Sequence, residues 1–290
     1  MENQGDRPIR EHDNAAGQLF VVSLPIGNLE DITLRALRVL REVDRIVAED
    51  TRHTRHLLTH FEIRTPFFSS LYQGAERHRV GAIVAELERG TTLALVSDAG
   101  TPLISDPGFP LVRAAIEAGI QVIPVPGPSA GLAALVASGL PPDRHAFVGS
   151  LPRKTGDRRR LLTAWKNQSI TLVAYESPHR LLSTLELIAE ILPTHAVALG
   201  RELTKAHEEY LRGSATELHS EMQARGEVRG ECVLIIGPGD ASASMPAQEN
   251  LDEIVDVLRS EGVADRTIVR VLAKVYGLSR SEAYRHVHGL

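Results

Sequence analysis

Apolar positions in this chain fall in short β-branched or Leu-rich runs bounded by Gly, Pro and Asp, and between the runs they return at helical intervals. The runs "LFVVSL" (19–24), "RIVAE" (45–49), "TLALVS" (92–97), "IQVIPV" (120–125), "SITLVAY" (169–175), "HAVALG" (195–200) and "ECVLIIG" (231–237) read as strands. Leu34, Leu37, Leu40 and Val43 keep helical spacing, as do Val80, Ile83, Val84 and Leu87 ahead of Gly90. Strands alternating with helices of this length predict α/β layers on largely parallel sheets.

The densest Pro/Gly cluster, "PVPGPSAG" (124–131), predicts a hinge between two α/β units at 18–126 and 127–240. Residues 1–17 have the polar composition of a disordered leader, and 241–248 that of a linker. A small helical domain over 249–290 is expected to hold three helices near 250–261, 265–276 and 280–288. Asn250, Asp265 and Ser279 stand where they can cap them, and Ser279 with Glu282 has capping-box spacing.

Composition narrows the chemistry. The single cysteine among 290 residues, Cys232, rules out an internal disulfide and a Cys-based zinc site, which fits a reducing, cytoplasmic setting. No apolar run approaches the roughly 18 residues of a membrane span. A formal charge of −5 argues against indiscriminate nucleic-acid binding, though not against local basic patches. Neither G-x-G-x-x-G nor G-x-x-x-x-G-K-[ST] occurs, so neither dinucleotide binding nor nucleotide hydrolysis is supported.

In an open α/β sheet, ligands bind beyond the carboxyl ends of the strands. There the chain sets "SLPIGNLED" after the first strand and "SDAGTPLISDPG" (97–108) after the third. Such loops offer backbone N–H groups, hydroxyls and carboxylates to a small polar ligand. Read structurally, Asp98, Ser105 and Asp106 are turn and cap residues. Several such loops on one sheet edge favour a site.

"SLPIGNLEDIT" (23–33), "AEDTRHTRHLL" (48–58), "SDAGTPLISDPG" (97–108), "VPGPSA" (125–130), "YESPHR" (175–180), "RELTK" (201–205) and "GECVLIIG" (230–237) follow one another in this order. Together they resemble the ribosomal RNA small subunit methyltransferase I family, a branch of the tetrapyrrole-methylase-like, class III S-adenosylmethionine-dependent methyltransferases. The resemblance spans roughly 18–240 and extends to the helical tail. It implies a two-domain tetrapyrrole-methylase-like fold and 2′-O-methylation of a cytidine ribose in the decoding centre of 16S rRNA. It further implies S-adenosylmethionine in the cleft between the domains, a homodimer, no metal, and small ribosomal subunits as partner.

Carried over by position, the resemblance implies donor contacts from Pro25, Ile26 and Gly27, and from Asp98, Ala99, Gly100 and Thr101. Ser105, Asp106, Ser129 and Ala130 follow, with Leu151, Tyr175 and Glu176 closing the pocket. Two departures stand out: Ser150 replaces a bulkier apolar residue, and Ala206–His207 replaces an apolar–aromatic pair.

The hydroxyl to be methylated is a weak acid, which calls for a base or cation near it. Glu49 or Asp50 is expected to orient it, with Arg52 and Lys205 holding phosphate; the alternative is an ion pair bridging the domains. His53, His56 and His60 share a helix face, but no second ligand set accompanies them, and solvent-facing or RNA-facing roles fit better. RNA contact is expected from Arg153, Lys154, Arg158, Arg159 and Arg160, and from Arg266, Arg270 and Lys274 in the tail, against the reading of both runs as solvated faces. Two rival readings stay open: a methyltransferase of a tetrapyrrole or other small molecule, and a non-catalytic ribosome-assembly factor.

Overall fold

The computed structural model describes residues 16–71, 76–226, 228–239, 248–276 and 278–288. Its first layer is a five-stranded, wholly parallel sheet of β1 (Gln18–Val22), β2 (Arg45–Ala48), β3 (Phe67–Ser70), β4 (Leu93–Val96) and β5 (Gln121–Val125), in the order β3-β2-β4-β1-β5. Helices α1 (Leu34–Glu42), α2 (Thr51–His60), α3 (Glu76–Glu88) and α4 (Phe109–Glu117) connect these strands. Strands covered on both faces must be apolar throughout, and β1 and β4 are buried at every position.

Helix α1 corrects the stripe read from spacing. Leu34 is exposed, and the inward face is Ala36, Val39 and Leu40, with Val43 just past its end. Thr33 caps this helix by accepting the Ala36 N–H at 3.1 Å. In α3, Ile83 and Leu87 are fully buried, in keeping with their spacing.

Helix α5 (Ala130–Ser138) leads into a second five-stranded sheet. It comprises β6 (His145–Ser150), β7 (Thr171–Glu176), β8 (Ala196–Arg201), β9 (Glu209–Ser214) and β10 (Cys232–Ile236), in the order β6-β7-β10-β8-β9. Here the expectation of parallel strands fails. Only β6 and β7 run parallel, and β10 is antiparallel to both its neighbours. The physical reason is topological: β8 and β9 form a hairpin, and β10 returns into the gap between β7 and β8. Helices α6 (Thr155–Trp165), α7 (Pro178–Ile191) and α8 (Ala215–Ala224) complete the layers, and Ser214 with Glu217 forms a capping box at the start of α8.

Three tail helices, α9 (Gln248–Ser260), α10 (Asp265–Val275) and α11 (Arg280–His288), enclose their own core around Leu251, Val255, Ile268, Leu272 and Val287. Two expected caps are corrected. Asn250 lies inside α9, and α10 is preceded by Ala264, which makes no side-chain cap. Asp265 instead takes the first helical position and pairs with Arg259 at 3.1 Å. The third cap holds: Glu282 N–H donates to Ser279 Oγ at 3.2 Å while Glu282 Oε2 accepts the Ser279 N–H at 2.8 Å.

Residues 1–15 of the expected leader and 241–247 of the expected linker lie outside the described residues. Gly17 is part of the fold, since its N–H donates to Leu87 O at 2.8 Å. Among the described residues no helix is long and apolar enough to cross a membrane.

Candidate functional site

Because its strands are parallel, the first sheet delivers the loops after β1, β2, β4 and β5 to one edge, where they are stitched together. Leu24 and Gly100 exchange backbone hydrogen bonds, with N···O distances of 2.8 and 3.0 Å. Ser23 Oγ lies 3.0 Å from Thr101 Oγ1, whose hydroxyl also donates to Pro128 O at 3.1 Å. Gly100 takes a φ of +67°, and two side-chain-bearing residues of the same loop, Leu103 and Ser105, have φ of 75° and 70°. Left-handed backbone at non-glycine positions costs energy and gathers at ligand sites.

The second unit closes over this edge. A cavity of about 780 Å³ lies between the two units, within the size range of small-molecule sites. From the first unit Ile26, Ala99, Gly100, Thr101, Ser105 and Asp106 line it, with Ser129 and Ala130 from the segment joining the units. From the second come Leu151, Tyr175 and Glu176. Close approaches bracket it: a Cβ on Gly27 would lie 2.5 Å from Lys205 Cγ, and one on Gly149 would lie 3.2 Å from Ser105 Oγ.

Three residues expected at the pocket are not in its lining. Pro25 is buried, Gly27 is the close interdomain contact, and Asp98 is a brace. Asp98 Oδ1 accepts the Asp50 N–H at 3.1 Å, and its own N–H points at Glu49 Oε2 at 3.4 Å.

Glu176 reaches the wall, but its carboxylate is committed elsewhere. Oε1 accepts the Ser177 N–H at 2.6 Å and pairs with Arg180 Nη2 at 2.5 Å, and Oε2 accepts the Thr184 hydroxyl at 2.6 Å. Arg180 in turn donates to Leu151 O and Pro152 O at 3.2 and 3.1 Å. The pair therefore fixes the loop that closes the cavity. Ser177 precedes α7 but makes no side-chain cap, and its own N–H donates to the Glu176 carboxylate.

Sequence reasoning passed over several wall residues, among them Ile104, Leu203, Glu231, Cys232 and Val233. Glu231 and Cys232 had a signal: Gly230 turns the chain at φ +88° into β10, whose antiparallel course sets Cys232 opposite Glu176. Burial pushes the Cys232 thiol up to about 12, so it is an inert wall group rather than a nucleophile.

The four residues expected to act on the hydroxyl do not line the cavity. Asp50 caps α2. Its Oδ1 accepts the Arg52 N–H at 2.8 Å and its Oδ2 accepts Arg52 Nη2 at 2.7 Å, so the side-chain hydrogen bond from Arg52 holds its carboxyl down at about 2. Lys205 Nζ sits between Glu202 Oε1 at 2.9 Å and Glu231 Oε2 at 3.0 Å. These are pairs within one unit, so the domain-bridging ion pair does not describe them.

Glu49 differs. Burial raises its carboxyl; the Asp98 N–H opposes that rise, and the charges of Asp106, Asp98 and Asp50 add to it. Burial also raises Asp106, against the Ser97 hydroxyl, with Asp98 contributing repulsion. Glu49 and Asp106 therefore keep a proton more readily than free carboxylates.

The basic cluster at 153–160 divides. Arg158 is 2 % exposed and donates to Pro152 O at 3.3 Å and Ser183 Oγ at 3.4 Å, so it is a packing residue and not an RNA contact. Arg159 holds Glu190 through two hydrogen bonds of 2.5 and 2.7 Å, and Arg160 pairs with Asp157. Arg153, on the cavity wall, and Lys154 are exposed and form no ion pair among the described residues. His56 shares a shallow surface groove with Arg52 and Arg55, and no three His, Cys, Asp or Glu side chains cluster in metal-binding fashion among the described residues.

Two α/β units hold a ligand-sized cavity at the first sheet's carboxyl edge, and residues 18–219 match the family model of the tetrapyrrole (corrin/porphyrin) methylases, which gives the class. A relative from Halalkalibacterium halodurans, named ribosomal RNA small subunit methyltransferase I, is 48 % identical over 227 residues, 77 % of each chain. One of the same name from Escherichia coli O157:H7 is 43 % identical over 281 residues, 94 % of this chain and 96 % of that one. The chain belongs to the ribosomal RNA small subunit methyltransferase I family. Its fold is shared with the uroporphyrin-III C-methyltransferase of Thermus thermophilus solved with S-adenyl homocysteine, at TM-score 0.53 and 18 % identity over 76 % of this chain and 97 % of that one.

The methyl donor is S-adenosylmethionine. The cavity's chemistry fits it. Ile26, Leu151, Leu203 and Val233 offer apolar wall, and the 99–105 loop offers hydroxyls and backbone.

Proposed function

We propose that this chain methylates the ribose 2′-oxygen of a cytidine in the decoding centre of 16S rRNA, acting on the small ribosomal subunit as a homodimer. The observation that carries the reading is a ligand-sized cavity at the first sheet's carboxyl edge with exposed cations beside it: Arg153 on its wall and Lys154 next in the chain, neither in an ion pair among the described residues. The cavity's size suits the donor, and unpaired cations beside it suit the phosphates of an RNA strand. The relatives' shared name supports rRNA as the substrate.

When bound, S-adenosylmethionine supplies a methyl group on a good leaving group. The chain's own contribution is then alignment, which supplies on the order of 7–11 kcal/mol of barrier reduction in favourable cases. Ile26, Gly100, Thr101, Ser129 and Ala130 form the donor's seat, with Leu151 and Tyr175 as its far wall. Glu176 and Arg180 act through the loop they hold. Of the two carboxylates the sequence left open, Glu49 is the better suited to orient the ribose hydroxyl and draw off its proton, which it would do from outside the donor cavity, at the strand tip beside Asp98. Its raised carboxyl keeps affinity for a proton, whereas Asp50 is neutralised by Arg52. Exposed apolar pairs on α4 (Phe109, Ile116) and α5 (Leu132, Val136) support a self-association surface.

The test is methyl transfer from labelled donor to isolated small subunits, to naked rRNA and to a tetrapyrrole. Label at a cytidine 2′-oxygen in the subunit arm is expected. Label only in the tetrapyrrole would give the rival methylase reading, and label in no arm the assembly-factor reading.

A further inference from the structure

The tail presents a second charged concavity, separate from the methylation cavity. A groove of about 960 Å³ runs between α10 and α11. Arg266 and Arg270 line it from α10 and Arg280 and Arg285 from α11, with Tyr284 and His288 also in its lining. None of the four guanidiniums forms an ion pair among the described residues, in a chain whose 37 carboxylates outnumber its 32 Lys and Arg. The acidic side chains of these two helices are occupied: Asp265 by Arg259, with His288 3.9 Å away, and Glu282 by the Ser279 N–H. Lys274, expected to extend the stripe, lies outside the groove.

Tyr284 is 51 % exposed, and its ring stands 4.2 Å from that of His288, tilted by 47°. An exposed ring pair among unpaired cations fits neither packing nor solvation. It does match the two components of single-strand recognition, cations along the backbone and aromatic rings on which bases stack. The helices are held from behind by Ile268, Leu272, Ala283 and Val287, so the groove stands on a packed core.

We propose that the α10–α11 groove binds single-stranded RNA, its arginines taking phosphates and Tyr284 stacking a base, and so docks the chain on its substrate away from the cavity. This rests on the reading that the chain acts on RNA.

The experiment uses the full chain and a short, unstructured, fluorescently labelled oligoribonucleotide, with affinity read by anisotropy over a range of salt. Arg270→Ala with Arg280→Ala should weaken binding at least about tenfold at low salt and flatten the slope of log affinity against log salt by about 1.4, at roughly 0.7 per single-strand phosphate contact. Tyr284→Ala should weaken binding by about fivefold or more with the slope unchanged, and Tyr284→Phe should restore it. Lys274→Ala should change affinity less than twofold.

The proposal is overturned if wild type binds the oligonucleotide and the groove variants bind it equally. Losing as much with Lys274→Ala overturns it too, as does a groove dependence found for anionic phospholipid vesicles and not for RNA. In each of these the parent reading survives as long as wild type still methylates rRNA. A wild type that neither binds nor methylates any RNA overturns both.

Discussion

Replacing Glu176 tests whether the closing wall of the cavity is a hydrogen-bonded frame. The carboxylate is 0 % exposed and receives a backbone N–H, a hydroxyl and a guanidinium. Breaking a buried ion pair by removing one partner costs about 3–5 kcal/mol, because the other charge is left uncompensated. Arg180 retains 24 % exposure and can recover some hydration, which brings the expectation for Glu176→Ala to about 3 kcal/mol. Against a typical domain stability of about 5–15 kcal/mol, that is a large fraction. The assay is urea unfolding of the variant beside calorimetric titration of the methyl donor. Besides the stability loss, donor affinity should fall at least about tenfold, because Arg180 no longer holds Leu151 O and Pro152 O. Glu176→Gln combined with Arg180→Gln should be less destabilised than the two single changes added together, by about 1–3 kcal/mol, as expected of residues in contact. A loss below about 1 kcal/mol for Glu176→Ala, with additive doubles and unchanged donor affinity, would refute the frame.

Three further outcomes are expected. Glu49→Gln should lower turnover at least about a hundredfold and abolish the acidic limb of the pH–rate profile, whereas Asp50→Asn should cost far less. That limb rises with pH through a midpoint above the ordinary glutamate value, since burial raises the Glu49 carboxyl and it becomes a base only there; stability contributed by the neutral form is lost over the same rise. Arg158→Ala should destabilise by on the order of 2 kcal/mol without altering the salt dependence of RNA binding, and Arg153→Ala with Lys154→Ala should do the reverse. Gly27→Ala should weaken donor binding with little change in unfolding, because its Cβ would press on Lys205 Cγ at 2.5 Å and on Leu203 O at 3.1 Å across the cleft.

Strands buried on both faces were legible as apolar runs, β1, β4, β7 and β10 among them. The three strands without such a run, β3, β6 and β9, all lie at sheet edges. An edge strand such as "FFSS" or "EYLRGS" is only partly covered, so its composition carries no continuous apolar signal. The loops around the cavity were legible because turn residues cluster after strands. The partners of their side chains were not, since a carboxylate's occupancy depends on residues such as Thr184 and Arg52 that only the fold brings into register. Arg158 did carry a signal. It stands four residues before Leu162 and seven before Trp165, on the buried face of α6, while Arg159 and Arg160 turn outward.

Methyl transfer by this chain depends on the cavity between the two units being the seat of the donor. Isothermal titration of the folded, full-length chain with S-adenosylmethionine, beside the Ala130→Phe variant that fills that wall, is the direct measurement. One site per chain in the wild type and none in the variant, at unchanged circular dichroism, is the expected result. Equal affinity in both, or no uptake by the wild type with or without RNA, would contradict it.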